Sequence, residues 1–171
     1  MNLKTLVRDI PDFPKPGVLF RDITPVLADA EALHWLVDRF AKRYAGKVDV
    51  VVGIESRGFI VGTPVAYALN VGVALVRKAG KLPWDKHSES YELEYGTDTL
   101  EIHTDALRPG ARVVVIDDLL ATGGTAAATV ALVGKMGARV VECGFIIELA
   151  FLGGAKRLAP LPTFSLVSYA R

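Results

Sequence analysis

The chain is short of the features that place a protein most quickly. It has one cysteine, Cys143, so no disulfide can close within it, and a reducing, cytoplasmic setting is expected. Its three histidines, His34, His87 and His103, fall on separate elements with no metal-ligand spacing. It has no excess of either charge: a net +1 gives no electrostatic reason to expect nucleic acid or an acidic membrane as partner. The opening stretch MNLKTLVRDIPDF scatters charge where a signal peptide would carry an apolar core. One run, residues 59–76, is uncharged for long enough to raise the question of a membrane span. Gly62, Pro64, Asn70 and Gly72 interrupt it, so it divides into a short helix and a strand, and no membrane partner is expected. Repeats, low-complexity tracts and linkers are absent. The 171 residues therefore read as one domain, 1–171, with a sizeable core.

What is present is an alternation of element types. Asp29 can cap a helix over residues 30–45, where Leu33, Leu36, Val37, Phe40 and Tyr44 fall at helical spacing before Gly46. Residues 48–54 (VDVVVGI) are β-branched and suit a strand buried on both faces. A helix over 58–69 and a strand over 71–76 follow. Residues 99–103 alternate weakly, as an added antiparallel strand would. Residues 112–116 then form another buried strand, 125–136 an alanine-rich helix and 139–148 a further strand. A short helix near 152–158 and a strand at 164–167 close the chain. Strand and helix in turn predict an α/β fold, a mostly parallel central sheet flanked by helices. Ligands of such sheets bind beyond the carboxyl ends of the strands. Three polar clusters fall there: Glu55-Ser56-Arg57, Arg77-Lys78 and Asp117-Asp118.

The segment VVVIDDLLATGGT, residues 113–125, is the most informative. Small and hydroxyl residues at Ala121, Thr122, Gly123, Gly124 and Thr125 let backbone N–H groups converge ahead of a helix N-terminus, as a phosphate cradle requires. The spacing is not that of a GxxxxGK(S/T) loop. Alone, a Gly-Gly pair before a helix also suits an ordinary β–α turn. The adjoining Asp117 and Asp118 alter that balance. Two carboxylates ~6 Å apart repel by ~3 kcal/mol at an effective dielectric near 20, so they need a partner. A ribose diol offers two donors to these acceptor-only groups, and a nearby divalent cation would offset the charge further. The segment reads as a grip on a sugar phosphate.

VVVIDDLLATGGT resembles the phosphoribosyl-pyrophosphate motif of type I phosphoribosyltransferases. DFPKPGVLFRDITPVL (12–27), GIESRGFIVG (53–62), LVRKAGKLP (75–83) and YELEYGTDTLEIHTDAL (91–107) extend the resemblance over nearly the whole chain, to the adenine phosphoribosyltransferase family. The resemblance implies the type I phosphoribosyltransferase fold, with a small N-terminal hood over about 1–28 and a flexible lid loop over about 78–96. It implies conversion of adenine and phosphoribosyl pyrophosphate to AMP and pyrophosphate in purine salvage, with Mg²⁺ held mainly through substrate and the enzyme a homodimer.

Residue roles follow from the same resemblance. Asp117 and Asp118 orient the ribose, and Ala121, Thr122, Gly123, Gly124 and Thr125 hold the 5′-phosphate. Glu55, Ser56, Arg57, Arg77, Lys78 and Lys81 serve the pyrophosphate, through a loop that often contains a non-proline cis peptide; the residue matching Arg77 reaches the partner subunit. Leu19 and Arg21 read the adenine edge through their backbone, with Phe20 near the ring face. On pattern alone, Phe20 would equally be a core residue and Arg21 the ion-pair partner of Asp22. Glu94 in LEYG is the implied catalytic proton donor or acceptor, with Tyr95 beside it in the lid. Residues 78–96 carry many charges, Pro83 and no helical or strand period, which suits a lid. Trp84, Tyr91 and Tyr95 in it suggest docking onto something. The charge pattern between Pro83 and Tyr91 departs from the family. Cys143, in an apolar strand, reads as a small buried hydrophobe.

Overall fold

A computed structural model describes residues 1–92 and 96–170. A two-stranded antiparallel ribbon, β1 (Arg8–Pro11) with β2 (Leu19–Asp22), precedes the short helix α1 (Thr24–Ala28). Then come α2 (Ala30–Tyr44), β3 (Val50–Ile54), α3 (Arg57–Leu69), β4 (Gly72–Lys78), β5 (Lys86–Glu92) and β6 (Thr97–His103). The chain continues with β7 (Arg112–Leu120), α4 (Gly124–Lys135), β8 (Arg139–Leu149), α5 (Gly154–Leu158) and β9 (Thr163–Tyr169). The main sheet has the order β5-β6-β4-β3-β7-β8-β9. β4, β3, β7, β8 and β9 run parallel, while β6 and β5 are antiparallel additions at one edge.

The alternation of buried apolar residues explains the layers. Val51, Val114 and Ile116 point into the core shared with Leu36 and Phe40 of α2 and Val61 and Val65 of α3. Val52, Val113 and Val115 point the other way, onto Ala126, Leu132 and Val133 of α4. Cys143 is fully buried on the α4 side. As its sequence position predicts, Asp29 caps α2: its carboxylate accepts the Ala32 N–H at 2.8 Å. Among the described residues, no helix is long and apolar enough to cross a membrane.

Two expectations need correction. Residues 78–96 are not without regular structure, because Lys86–Glu92 forms β5 against β6. The alternation there is real, with His87, Glu89 and Tyr91 on the more covered face, but polar side chains occupy both faces, so no hydrophobic period shows. β7 does not stop at residue 116 either. β8 remains alongside as far as Leu120, while β3 last pairs at Gly53 with Ile116. From Asp117 onward, that edge of β7 therefore has no strand partner among the described residues, and the start of α3 at Arg57 and Gly58 packs beside it.

Candidate active site

That edge is where the strand order reverses. β3 leads through α3 to β4 on one side, and β7 leads through α4 to β8 on the other, so a crevice opens between the ends of β3 and β7. It forms a cleft of about 650 Å³. Glu55, Ser56, Arg57, Lys78, Lys81, Asp117, Asp118, Ala121, Thr122, Gly123, Gly124 and Thr125 all line it, although they come from three segments of the sequence.

One end of the cleft is made of backbone and hydroxyls. Gly123 turns the chain at φ +80°, and α4 begins at Gly124 with no side chain capping its first N–H groups. Those free donors and the helix dipole favour an anion. A β-carbon at Gly123 would come within 2.9 Å of the Gly154 carbonyl oxygen, so the loop is seated tightly on the start of α5.

The other end is made of charged side chains, each already paired. Glu55 follows β3, and its peptide bond to Ser56 is cis, as the resemblance implies. Its carboxylate accepts from the Lys81 ammonium and from the Lys78 backbone N–H at 2.9 Å, and it lies 3.4 Å from Arg77 Nε. Burial pushes the Glu55 carboxyl up, and the Lys81, Lys78 and Arg77 donors more than reverse this, so it lies below its ordinary value. Arg77 stands behind Glu55 and donates to the Lys81 carbonyl at 3.3 Å; it is not among the residues lining the cleft. Lys78 Nζ pairs with Asp98 at 3.0 Å.

The doubled charge on β7 lies between these ends. Arg57 Nε donates to Asp118 Oδ2 at 2.5 Å. Gly58 permits this approach, since a β-carbon there would come within 2.7 Å of the Ile116 carbonyl. Asp117 Oδ1 accepts the neighbouring Asp118 N–H at 2.8 Å. Burial and the Asp118 charge push the Asp117 carboxyl well above the usual carboxylate range. One guanidinium thus serves two acids.

The hood meets the cleft at Arg57, whose guanidinium carbon is 5.8 Å from the centre of the Phe20 ring. Leu19, Phe20 and Arg21 themselves lie on β2, beside the cleft and not in its wall. Arg21 does not pair with Asp22. It is held by Asp9 across the ribbon and lies 3.9 Å over the Tyr169 ring. Asp22 instead accepts from the Thr24 N–H at 2.9 Å and hydroxyl at 2.7 Å, which lowers its carboxyl below the ordinary value. Glu94 and Tyr95 lie outside the described residues.

Two comparisons identify the arrangement. The Phosphoribosyl transferase domain family matches residues 26–160. A curated adenine phosphoribosyltransferase of Syntrophotalea carbinolica is 57% identical, over 98% of this chain and 99% of that one. The chain belongs to the adenine phosphoribosyltransferase family. The crystal structure of the adenine phosphoribosyltransferase from Thermoanaerobacter pseudethanolicus superposes with a TM-score of 0.95 at 50% identity, covering 98% of each chain. That of Saccharomyces cerevisiae, complexed with adenine and an imino-altritol bisphosphate, gives 0.92 at 41% identity over 96% of each.

Two further polar members of the cleft wall are Tyr91, which sequence reasoning singled out only as a docking aromatic of the lid, and Asp98, which it missed. They face each other as partners across β5 and β6. The hairpin was the signal that would have found them, and its polar faces hid it.

Proposed function

We propose that this chain transfers the phosphoribosyl group of 5-phosphoribosyl 1-pyrophosphate to adenine, giving AMP and pyrophosphate, a pentosyl transfer in purine salvage. One observation carries the reading. A single cleft holds a neutral backbone cradle at one end, Arg57, Lys78 and Lys81 at the other, and two carboxylates between them. That order suits a 5′-phosphate, a pyrophosphate and a ribose diol on one molecule. Attack of adenine N9 on C1′ passes through an oxocarbenium-like state while negative charge grows on the leaving pyrophosphate. Arg57, Lys78 and Lys81 are positioned to stabilise that charge. Glu55 and Arg77 hold Lys81 and its loop in place from behind.

Adenine is read in this scheme by the hood. Among the described residues β2 pairs with β1 alone, so it keeps an unpaired edge, and the backbone N–H and C=O groups of Leu19 and Arg21 are assigned the reading of the base edge. Phe20, whose ring lies beside Arg57, is the aromatic surface the hood offers toward the reacting end. The S. cerevisiae relative, whose crystal structure contains adenine, supports this choice of base. Glu94 is assigned the proton exchange with the purine, a step typically worth ~10²–10⁴-fold, and Tyr95 a place in the lid; both assignments rest on sequence.

Among the described residues, no three His, Cys, Asp or Glu side chains converge to hold a metal. The chain offers Asp117 and Asp118, an incomplete ligand set of hard oxygens that fits a Mg²⁺ keeping substrate phosphates and waters as its other ligands. When bound, the ion would neutralise charge on the pyrophosphate.

A homodimer fits the surface. Ile60 and Tyr67, two turns apart on α3, are 52% and 88% exposed, and Val73 and Leu75 on β4 are also open. By alternation Arg77 shares the face of Val73 and Leu75, so a second copy docked there would bring Arg77 close to its partner. Sedimentation of a Tyr67→Glu, Leu75→Glu variant as a monomer is the expected result, and an unchanged dimer would reject this face. A reducing, cytoplasmic setting fits Cys143, whose buried thiol is pushed up to about 12.

The deciding experiment is a base panel assayed with phosphoribosyl pyrophosphate and Mg²⁺. Adenine should give AMP at the highest kcat/KM. Preference for hypoxanthine or guanine would overturn the hood assignment.

A further inference from the structure

Tyr91 and Asp98 line the cleft, yet the reaction above gives them no task. Their contacts form a chain. The Thr125 hydroxyl donates to the Tyr91 oxygen at 3.4 Å, the Tyr91 hydroxyl donates to Asp98 Oδ2 at 3.3 Å, and the same Oδ2 pairs with Lys78 Nζ at 3.0 Å. Thr125 belongs to the phosphate cradle and Lys78 to the pyrophosphate end, so four side chains join the two ends of the cleft.

The frame around this chain is fixed. Tyr91 and Asp98 sit opposite each other in the β5–β6 register. The Tyr91 ring lies against Gly124, where a β-carbon would come within 3.3 Å of it. At the far end of α4, Lys135 Nζ holds the Ser88 carbonyl at 2.6 Å and Glu89 at 2.7 Å. β5 is therefore tied to α4 at both ends of the helix, and the adjustable parts are the hydroxyl protons, the Asp98 carboxylate torsion and the Lys78 ammonium.

Hydrogen-bonding capacity then determines the outcome. A threonine or tyrosine hydroxyl has one proton to give. A bound 5′-phosphate accepts and does not donate, so it takes the Thr125 proton and frees the Tyr91 oxygen. A pyrophosphate draws Lys78 away from Asp98, whose Oδ2 is left with Tyr91, while Oδ1 keeps the Thr99 N–H at 2.9 Å. Both hydroxyl contacts are long for O–H···O bonds, so the Tyr91–Asp98 bond can shorten once Thr125 has let go. Release at one end makes release at the other less costly.

We propose that Tyr91 and Asp98 are positioning residues that couple occupation of the 5′-phosphate cradle to transfer of Lys78 onto pyrophosphate. The inference rests on the assignment of the two cleft ends made above. Such coupling is reciprocal and is read as a ratio of affinities. The experiment measures inorganic pyrophosphate binding by calorimetry, with and without saturating ribose 5-phosphate at fixed Mg²⁺, for the wild type, Tyr91→Phe and Asp98→Asn. Repulsion between the two anions is common to all three proteins and cancels in the comparison. The factor by which ribose 5-phosphate improves pyrophosphate affinity should be about three- to tenfold smaller in Tyr91→Phe than in the wild type, the span of one net hydrogen bond. Asp98→Asn should lose the factor too, and should bind pyrophosphate alone more tightly, because Lys78 no longer has an anionic competitor.

A merely structural role would alter both single-ligand affinities and leave the factor unchanged. Variants that retain the wild-type factor overturn the coupling while leaving the cleft assignment intact. A wild type that binds neither ligand sinks the cleft assignment and the coupling with it. If one variant melts below the assay temperature, the other decides.

Discussion

The two ends of the cleft handle negative charge in opposite ways. The cradle at residues 121–125 presents backbone donors and a helix N-terminus that no side chain caps among the described residues. At the other end every cation already has an acid: Arg57 has Asp118, Lys78 has Asp98, and Lys81 has Glu55. A phosphate entering the cradle displaces water, whereas a pyrophosphate must also displace carboxylates. The difference matches the fates of the two groups in the proposed reaction. The 5′-phosphate stays on the molecule from substrate to AMP, while pyrophosphate has to leave. Cations with internal partners to return to release an anion more readily than unpaired ones.

The most forceful way to break this contrast is to remove the shared cation. Arg57→Gln takes away a donor to the leaving group and the guanidinium that serves Asp117 and Asp118. Losing one preorganised donor at a site of developing negative charge commonly costs ~10²–10³ in kcat. Steady-state kinetics should show a fall of that order, with pyrophosphate affinity reduced more than that for ribose 5-phosphate. Equal losses for both ligands would show that the two ends are not separate.

A smaller change tests the cradle. At Gly123, φ is +80° and the Gly154 carbonyl oxygen is 2.9 Å from a would-be β-carbon. Gly123→Ala therefore combines backbone strain of ~1–3 kcal/mol with a steric clash against α5. Ribose 5-phosphate should bind roughly 5- to 150-fold more weakly, with pyrophosphate affinity nearly unchanged. Calorimetry with each ligand separately provides the check, and a loss confined to pyrophosphate would reverse the assignment of the ends.

The cradle was far easier to read from sequence than its counterpart, for physical reasons. A backbone cradle is local: small residues, a glycine turn and a helix start fall within a few positions of one another, after a β-branched strand whose pattern is unmistakable. The ion pairs at the other end are not local. Arg57 reaches Asp118 on β7 from the start of α3, and nothing in either neighbourhood names its partner. The same holds in the hood, where proximity along the chain suggests Arg21 with Asp22 and the ribbon register delivers Arg21 to Asp9. β5 was hidden because KHSESYE alternates in exposure without alternating in polarity, and Asp98 was hidden with it. The parallel sheet was legible because its strands are apolar on both faces.

The mildest test concerns stability, and it sets two acids against each other. Asp117, between the cleft ends, lacks a cation of its own, and its folded-state pKa is raised. Its stabilising contribution is present below the unfolded-chain value of about 3.9 and is lost as pH rises through the folded value, so at neutral pH the ligand-free protein carries a penalty. Asp117→Asn keeps an oxygen to accept the Asp118 N–H and should raise the Tm at pH 7, each kcal/mol appearing as about 2–4 °C, while weakening the grip on ribose. The gain should shrink as pH is lowered toward about 4. Asp49, remote from the cleft, is the opposite case. Its hydrogen bonds to the Arg112 side chain and backbone N–H lower its pKa to about 2. That contribution is present above the ordinary value of 3.8 and disappears as pH falls toward about 2. Asp49→Asn should therefore lower the Tm slightly at pH 7, with wild type and variant converging near pH 2. Thermal melts of both variants across this range should give differences of opposite sign at pH 7. A Tm loss in Asp117→Asn as well would mean that this acid is settled without its ligand, and that the strain assigned to the middle of the cleft is not there.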